Sequence, residues 1–390
     1  MTRMFAERTL NLGTEESFEV LAKTHELERQ GKKIIHLEIG EPDFDTPKHI
    51  KEAAVRALHA GYTHYVPAAG IYELREAIAE YITKTRNVEV NPNEVIVTPG
   101  SKTAIFLAML ACINPGDEVL YPNPGYPIYE SIIRLLGARP IPIPLMESNN
   151  FRLDHEYFKE HITRKTRMII INSPENPTGE VLSDEDLKLI ADCTEKRDDV
   201  VVLSDEIYSR LIYDGEHKSI ISLPGMKEKT ILIDGFSKTY AMTGWRLGYG
   251  IVPKKLAEKM IKLAINTYSC ACAFIQIAGI EALKGPQKCV EEMLEELRRR
   301  REVIVEGLNN IKGIKCHKPK GAFYVFPNIK ETGMKSRELA NYLLEEAGVA
   351  VLPGNSFGSY GEGYLRLSFA NSIENIKEAL RRMKTAIERL

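Results

Sequence analysis

Lys238 is the residue whose surroundings first suggest chemistry. It lies in the segment DGFSKTYAMTGWRLGYG (234–250), among small, aromatic and apolar residues, with Arg246 further along the same segment. A lysine with an ordinary pKa of about 10.4 needs roughly 4.6 kcal/mol to become the neutral nucleophile at pH 7. Burial and a nearby cation reduce this free energy. Lys238 is therefore a candidate nucleophile, although the commoner role of a lone lysine is to pack its stem and extend its ammonium to a carboxylate or solvent.

The segments around Lys238 alternate short β-rich runs, turns and amphipathic helices, which predicts a mainly parallel α/β sheet. The six clearest strands are EVIVT (94–98), EVLYP (118–122), RMIIIN (167–172), VVVLS (200–204), TILID (230–234) and GYGIV (248–252). PIPIPL (140–145) has proline at every second position, so we expect it at a sheet edge or in an extended loop. Ligands of such sheets bind beyond the carboxyl ends of the strands.

Four of these strands end in polar groups that a single ligand can use. In chain order they are the backbone amides of Gly100, Ser101 and Lys102, the side-chain amide of Asn176, the carboxylate of Asp205 with the phenol of Tyr208, and Lys238 with Arg246. The first three amides open an apolar helix, whose N-terminus favours anions. Each group alone also has a structural explanation, because Gly and Ser suit any strand-to-helix turn and SPENPTG suits an ordinary turn.

Pyridoxal phosphate needs all of these groups together. The predicted contacts are Lys238 to the aldehyde, Asp205 to the ring nitrogen, Asn176 and Tyr208 to the phenolic oxygen, Tyr126 to the flat face of the ring, and the helix amides with Ser237 and Arg246 to the phosphate. The GxGxxG and GxxxxGK[ST] motifs of dinucleotide and nucleoside triphosphate sites are absent from the sequence. No metal site is expected, since the one close cysteine pair is CxC.

Several segments resemble the class I and class II aminotransferases, which have the aspartate aminotransferase fold and use pyridoxal phosphate. GFSKTYAMTGWRLG (235–248) is similar to the lysine signature of that family. Further similar segments, in order along nearly the whole chain, are GEPDFDTP (40–47), HYVPAAGIYELREAI (64–78), NSPENPTG (172–179), SDEIY (204–208) and YLRLSF (364–369). The resemblance implies an α/β large domain with a mainly parallel central sheet flanked by helices, which is fold type I of the pyridoxal-phosphate-dependent transferases, and a smaller α+β domain.

The resemblance also implies a substrate site and a dimer. By analogy Gly40 lies at the substrate carboxylate, Arg366 clamps that carboxylate, and Asn176 contacts substrate as well as cofactor. Tyr65 would reach the cofactor phosphate of the neighbouring subunit, which implies a homodimer with shared sites. Alternation along YLRLSF places Arg366 on one face of a strand, where its planar guanidinium can meet a carboxylate, although an arginine in mid-strand is usually a surface residue.

One position departs from the family pattern. The family often has a phosphate-binding serine where this chain has Gly235. One hydroxyl to the phosphate would then be missing, with Ser101 or Ser237 as the residue that compensates.

Length, charge and cysteine content indicate the number of domains, the kinds of partner and the compartment. With 390 residues we expect a large cofactor domain (46–285) and a small domain made of residues 1–45 and 286–390. The formal net charge of −2 gives no electrostatic basis for binding nucleic acid or membrane. Six scattered cysteines and the lack of an apolar leader predict free thiols and a cytoplasmic protein. The RRRR run (298–301) is expected to form a solvated, salt-bridged helix face.

The reaction expected is transfer of the amino group of an L-amino acid to a 2-oxo acid. Dicarboxylate-specific relatives in this family often bind the distal carboxylate with an arginine where this chain has INTYSCACAF (265–274), which contains none. Some aspartate-using relatives have a lysine at the position of Lys102, so the resemblance implies aspartate or glutamate as donor and 2-oxoglutarate as acceptor, with Lys102 binding the distal carboxylate. Lys102 has an equal alternative, in which only its backbone amide matters and its ammonium faces solvent. Aromatic or alanine-type donors, a C–S β-lyase of the same fold and a non-catalytic regulator are the other possibilities that the sequence leaves open.

Overall fold

The computed structural model describes residues 4–13 and 15–390 of the chain. Within these residues the α-helices are α1 Glu16–Arg29, α2 Lys48–His59, α3 Tyr72–Arg86, α4 Ser101–Cys112, α5 Ile128–Leu135, α6 His155–His161, α7 Asp184–Thr194, α8 Lys254–Thr267, α9 Ala273–Lys284, α10 Lys288–Asn309, α11 Ser336–Tyr342 and α12 Ile373–Ile387. The strands are β1 Ile35–His36, β2 Val95–Thr98, β3 Glu118–Asn123, β4 Arg139–Pro144, β5 Thr166–Asn172, β6 Val201–Asp205, β7 Thr230–Gly235, β8 Gly248–Ile251, β9 Tyr324–Val325, β10 Val349–Ala350, β11 Leu352–Pro353 and β12 Leu365–Ser368. None of the described helices combines the length and the apolar character needed to cross a bilayer.

A seven-stranded sheet forms the centre of the large domain, with strand order β2-β8-β7-β6-β5-β3-β4. All neighbouring strands are parallel except the two pairs that involve β8. The predicted mainly parallel sheet is therefore confirmed. Each of the six predicted strands is present, with its ends shifted by at most one residue. The proline-rich β4 lies at the sheet edge and pairs only with β3, which leaves its outer side free of ladder hydrogen bonds.

The antiparallel strand β8 determines the relative direction of its two neighbours, β2 and β7. It separates β2 from β7 and runs against both of them, so β2 and β7 point in the same direction. The carboxyl ends of β2, β5, β6 and β7 consequently lie along one edge of the sheet. The sequence predicted these four ends and the strand GYGIV (248–252), but not that this strand is antiparallel and lies between β2 and β7.

The small domain combines both ends of the chain. Strands β9, β11 and β12 form an antiparallel sheet, and β1 pairs in parallel with β10. Ile35 and Leu37 share a buried core with residues of α10, α12 and β12. The same core includes Ile207 and Tyr208 of the large domain, so the division at residues 45 and 285 stays a prediction. The segment GVAVLP (348–353) contains β10 and β11, and α11 is followed by a π-helical turn, Leu343–Ala347.

The expectation for the RRRR run is wrong for two of its four arginines. Arg300 and Arg301 are 6% and 2% exposed. The guanidinium of Arg300 lies 2.6 Å from Asp43, and Arg301 donates to the carbonyl of Pro319 at 2.9 Å and pairs with Asp214. Four consecutive residues of a helix point to all of its sides, so two of them turn toward the neighbouring segments and are buried with carboxylate partners.

Candidate active site

A cavity of about 580 Å³ lies at the edge where the carboxyl ends of the parallel strands meet, and the small domain closes its other side. The predicted residues that line it are Gly40, Ser101, Lys102, Tyr126, Asn176, Asp205, Tyr208, Ser237, Lys238, Arg246 and Arg366. Gly100 lies directly before α4, against the guanidinium of Arg246. Residues that are up to several hundred positions apart in the chain therefore share one enclosed space.

Lys238 is placed in this cavity by the turn that follows β7. Its Nζ donates a hydrogen bond to the carbonyl oxygen of Gly40 and lies 5.6 Å from the ring centre of Phe323. Burial lowers the pKa of Lys238 to about 8; the charge of Glu41 opposes this change and that of Arg366 reinforces it. At pH 7 about a tenth of such amines are neutral, compared with less than a thousandth for an ordinary lysine. The geometry thus provides an amine that can act as a nucleophile or a base.

Asp205 ends β6, the strand that pairs with β7, and is 4% exposed. Its Oδ2 accepts a hydrogen bond of 2.7 Å from Tyr129 of α5, and its Oδ1 accepts one of 3.3 Å from the amide of Ile207. Burial raises the pKa of Asp205 to about 6, while the two hydrogen bonds lower it. The carboxylate is therefore mostly ionised at neutral pH and can hold a cationic group in the cavity.

Arg366 projects from β12 into the same space. Its guanidinium lies between the rings of Tyr324 and Phe357, with centroid distances of 4.4 and 5.1 Å. Nη2 donates to the carbonyl of Glu38, and Nη1 lies 3.4 Å from Oδ1 of Asn176. Its buried Nε has no hydrogen-bond partner among the described residues. A buried cation with an unused donor is suited to receive a carboxylate from a ligand.

The start of α4 forms a cradle for an anion. Gly100 has φ +82°, and a Cβ there would lie 2.3 Å from Nη2 of Arg246, so the close approach of this arginine requires glycine. The amide of Gly100 donates to the carbonyl of Thr98 at 2.7 Å, so of the three predicted amides those of Ser101 and Lys102 remain for an anion, at the positive end of the helix dipole. Together with the guanidinium they can bind a phosphate.

Ser101 occupies the space that a side chain at position 235 would need. A Cβ on Gly235 would lie 2.4 Å from the Ser101 hydroxyl oxygen, which donates to the carbonyl of Asp234 at 2.8 Å. A serine at 235 and the observed Ser101 rotamer exclude each other. Of the two residues expected to compensate for Gly235, Ser101 is thus the one whose hydroxyl lies at that position, while Ser237 lines the cavity nearby.

Tyr208 and Tyr324 form a buried pair of phenols, whose oxygens are 2.8 Å apart. The Tyr324 hydroxyl also fills the space beside Gly40, because a Cβ there would lie 2.1 Å from it. Position 40 therefore accepts only glycine without movement of its neighbours. The main chain that receives Lys238 is fixed in place by this contact.

Lys102 lines the cavity, but its side chain is 40% exposed, so both sequence hypotheses for its ammonium stay open. Its Nζ pairs with the carboxylate of Glu15, and it lies 5.7 and 5.9 Å from the ring centres of Phe18 and Tyr126. The ammonium therefore belongs to the cavity wall.

Three buried charged residues form a network next to the strand ends that carry Asp205 and Lys238. Arg86 at the end of α3 lies 2.7 Å from Glu206 and 3.4 Å from Asp234, and all three side chains are at most 4% exposed. Burial opposes ionisation of Glu206, but Arg86 and His217 hold its pKa at about 2. Burial raises the pKa of Asp234 to about 7, with Arg86 opposing it. Because these carboxylates adjoin Asp205 and the Lys238 turn, Arg86 helps to fix both strand ends.

Comparison with known proteins agrees with this geometry. The model of the family described as aminotransferase class I and II matches residues 32–383. The chain belongs to this family. It is 48% identical over 360 residues to an aspartate aminotransferase of Pyrococcus abyssi, covering 91% of this chain and 92% of that one. It is 44% identical to aromatic-amino-acid aminotransferase 2 of Thermococcus litoralis, covering 94% and 95% of the two chains. The solved aspartate aminotransferase of Thermus thermophilus with maleate is 39% identical, with a TM-score of 0.95 and coverage of 99% and 100%.

Tyr65, a predicted site residue of this aminotransferase, lies outside the cavity of its own chain. It is 89% exposed and lies in a separate surface depression with Tyr62 and the segment 270–274. This position agrees with a role toward a second subunit, which stays a prediction.

Several residues that line the aminotransferase site were not predicted from the sequence, among them Glu15, Tyr129 and Tyr324. Tyr324 lies between the buried apolar residues Phe323 and Val325, so the local sequence does not distinguish it from a core residue. Tyr129 lies in the amphipathic helix α5, and Glu15 lies one residue before α1, so neither pattern distinguishes them from structural residues.

Proposed function

We propose that this aminotransferase binds pyridoxal phosphate through Lys238 and transfers the amino group of L-aspartate or L-glutamate to a 2-oxo acid, with 2-oxoglutarate as the preferred acceptor. The observation that carries the proposal is the convergence of three groups in one cavity: the low-pKa amine of Lys238, the buried carboxylate of Asp205 and the guanidinium of Arg366.

The residues fit the cofactor on its three sides. The cradle formed by Gly100, Ser101 and Arg246 suits a phosphate, and Asp205 suits a protonated ring nitrogen. Lys238 lines the same cavity as Asp205, so its amine can reach the cofactor aldehyde. When bound, pyridoxal phosphate supplies the electron sink that stabilises negative charge on the substrate α-carbon.

The protein groups around it have separate tasks. Arg366 binds the α-carboxylate of the donor with its free Nε, and so orients the α-carbon toward Lys238. Lys238 in its neutral form takes the proton from that carbon. Asp205 holds a proton at the ring nitrogen, because an ion pair at about 4 Å with an effective dielectric of 20 contributes roughly 4 kcal/mol.

The donor proposal depends on Lys102, whose ammonium faces the cavity and can meet a distal carboxylate. The aromatic alternative also has support, because Phe18 and Tyr126 flank that ammonium and the relative from Thermococcus litoralis is named for aromatic amino acids. A panel of donors with 2-oxoglutarate distinguishes the two classes of donor.

Lys102→Met should lower kcat/KM for aspartate by about 1–3 kcal/mol of transition-state binding and spare alanine. Equal losses for both donors would contradict the assignment.

The covalent role of Lys238 has a direct test. Borohydride reduction of the protein with its cofactor, followed by peptide mapping, should place the pyridoxyl group on Lys238. Lys238→Ala should fold and lose transamination. During a single turnover the donor nitrogen should stay on the cofactor, whereas a β-lyase would release ammonia. A label on another lysine would show that the assignment is wrong.

We also propose a homodimer with shared sites in the cytoplasm. The exposed ring of Tyr65 and the neighbouring Tyr62 provide an apolar surface for a second copy. Sedimentation should show a dimer at assay concentration. Mixing Tyr65→Ala with Lys238→Ala should restore activity, because a hybrid dimer has one site with both residues intact. A fully active monomer would contradict the shared site.

A further inference from the structure

We propose that the carboxylate of Glu15 is an internal counter-ion that occupies the distal-carboxylate position at Lys102, and that it thereby sets the choice between dicarboxylic and apolar donors. This inference rests on the proposed function, since it concerns the side-chain end of the same substrate site.

The contacts of Glu15 resemble those expected of a bound carboxylate. One of its oxygens, Oε1, accepts hydrogen bonds from Nζ of Lys102 and from the hydroxyl of Tyr126, the latter at 2.8 Å. The side chain is 15% exposed and lines the cavity. A cation and a phenol that converge on one oxygen form a small carboxylate site, which the chain fills with its own residue.

The position of Glu15 in its helix does not explain its side chain. Glu15 is the N-cap residue of α1, yet its side chain makes no capping hydrogen bond. Asn, Asp, Ser and Thr are the residues that cap helices well. The carboxylate is directed into the cavity instead, where it neutralises Lys102.

This pairing has opposite effects on the two donor classes. A donor with an apolar side chain can enter while the ion pair is intact, and it packs against the rings of Phe18 and Tyr126 without leaving Lys102 unpaired. A dicarboxylic donor must take the place of Glu15 at Lys102. Glu15 therefore weakens dicarboxylate binding and favours apolar donors relative to a site with a free cation.

The start of α1 is held independently of Glu15, so the exchange does not require the helix to leave. The neighbouring Glu16 accepts a hydrogen bond of 3.0 Å from Arg337 and another from Ser356, on the side of the small domain. Glu16 does not line the cavity. Glu16→Gln is consequently a matched control, since it removes an adjacent carboxylate of the same helix end.

The test is calorimetric binding of two unreactive acids to the holoenzyme. Maleate carries two carboxylates, and 3-phenylpropionate carries one carboxylate and an apolar end. Glu15→Gln should strengthen maleate binding at least about tenfold and leave 3-phenylpropionate within about twofold, while Glu16→Gln should change neither. Lys102→Met should remove the gain when it is combined with Glu15→Gln.

Two results would overturn the inference: unchanged maleate affinity in Glu15→Gln, or equal changes for both acids. Binding needs no turnover, so these results are separate from a failure of the donor proposal. That proposal fails if the wild-type enzyme does not transaminate aspartate or glutamate, whatever the acids show.

Discussion

The hydrogen bond between Tyr129 and Asp205 should control the pH range over which the cofactor binds. Tyr129→Phe removes the hydroxyl that donates to Oδ2 at 2.7 Å and keeps the ring that packs against Tyr126 at 5.5 Å. A hydrogen bond to a charged group contributes about 1.5–3 kcal/mol, which corresponds to roughly one to two pKa units. Because the bond stabilises the ionised form, its loss raises the pKa of Asp205 from about 6 to roughly 7–8.

The ionised fraction of Asp205 at pH 7 should then fall from about nine tenths to between a tenth and a half. Since the ring nitrogen needs the carboxylate, the affinity of the apoenzyme for pyridoxal phosphate should decrease as the pH falls through about 6 in the wild type. In Tyr129→Phe the same decrease should occur one to two pH units higher. Spectroscopic titrations with cofactor between pH 5.5 and 9 measure the midpoint, and carboxyl NMR of aspartate-labelled apoenzyme reports the pKa directly.

Tyr121→Phe is the matched control. The Tyr121 hydroxyl donates a hydrogen bond of 2.7 Å to Glu130. The residue is 4% exposed and does not line the cavity. The midpoint should not move in this variant. If Tyr129→Phe and Tyr121→Phe both keep the wild-type midpoint, the hydrogen bond does not set the charge of Asp205 and the reasoning is refuted.

Two further substitutions test the cavity walls. Gly40→Ala places a Cβ 2.1 Å from the Tyr324 hydroxyl, so the main chain at residue 40 or the tyrosine must move. A movement of about 1 Å should reduce kcat/KM roughly 10²-fold in steady-state assays. Adding Tyr324→Phe to the same chain should restore part of the loss. Arg86→Met leaves Glu206 and Asp234 buried without their cation, and chemical denaturation should show a loss of about 3–5 kcal/mol in the free energy of unfolding.

Each of these changes has a control in the chain. Gly244 lines the same cavity, but a Cβ there meets no atom within 4 Å, so Gly244→Ala should keep its activity. Arg381 pairs with Glu378 on the surface, and Arg381→Met should leave the free energy of unfolding almost unchanged because solvent screens this pair. An inactive Gly244→Ala, or equal losses of stability in the two arginine variants, would count against the respective explanation.

Local patterns predicted the large sheet because they are formed by neighbouring residues. Runs such as TILID and VVVLS are buried on both faces, and the turns after them carry the polar groups. Parallel strands place their carboxyl ends along one edge, so Lys238, Asp205 and Asn176 could be assigned to one site from order alone. The family resemblance added Gly40 and Arg366, which lie in a different domain from that edge.

Long-range packing decided the features that the sequence did not reveal. Glu15 and Lys102 are far apart in the chain, as are Tyr129 and Asp205, and no periodic pattern relates the members of either pair. The RRRR run likewise has the composition of a solvated face, but the segments packed against α10 bury Arg300 and Arg301. The sequence by itself determined the strands, the helices and the residues at the strand ends, because these follow from neighbouring side chains. Only the tertiary structure decided which distant charges meet, since that depends on how the small domain and α1 fold back over the edge of the sheet.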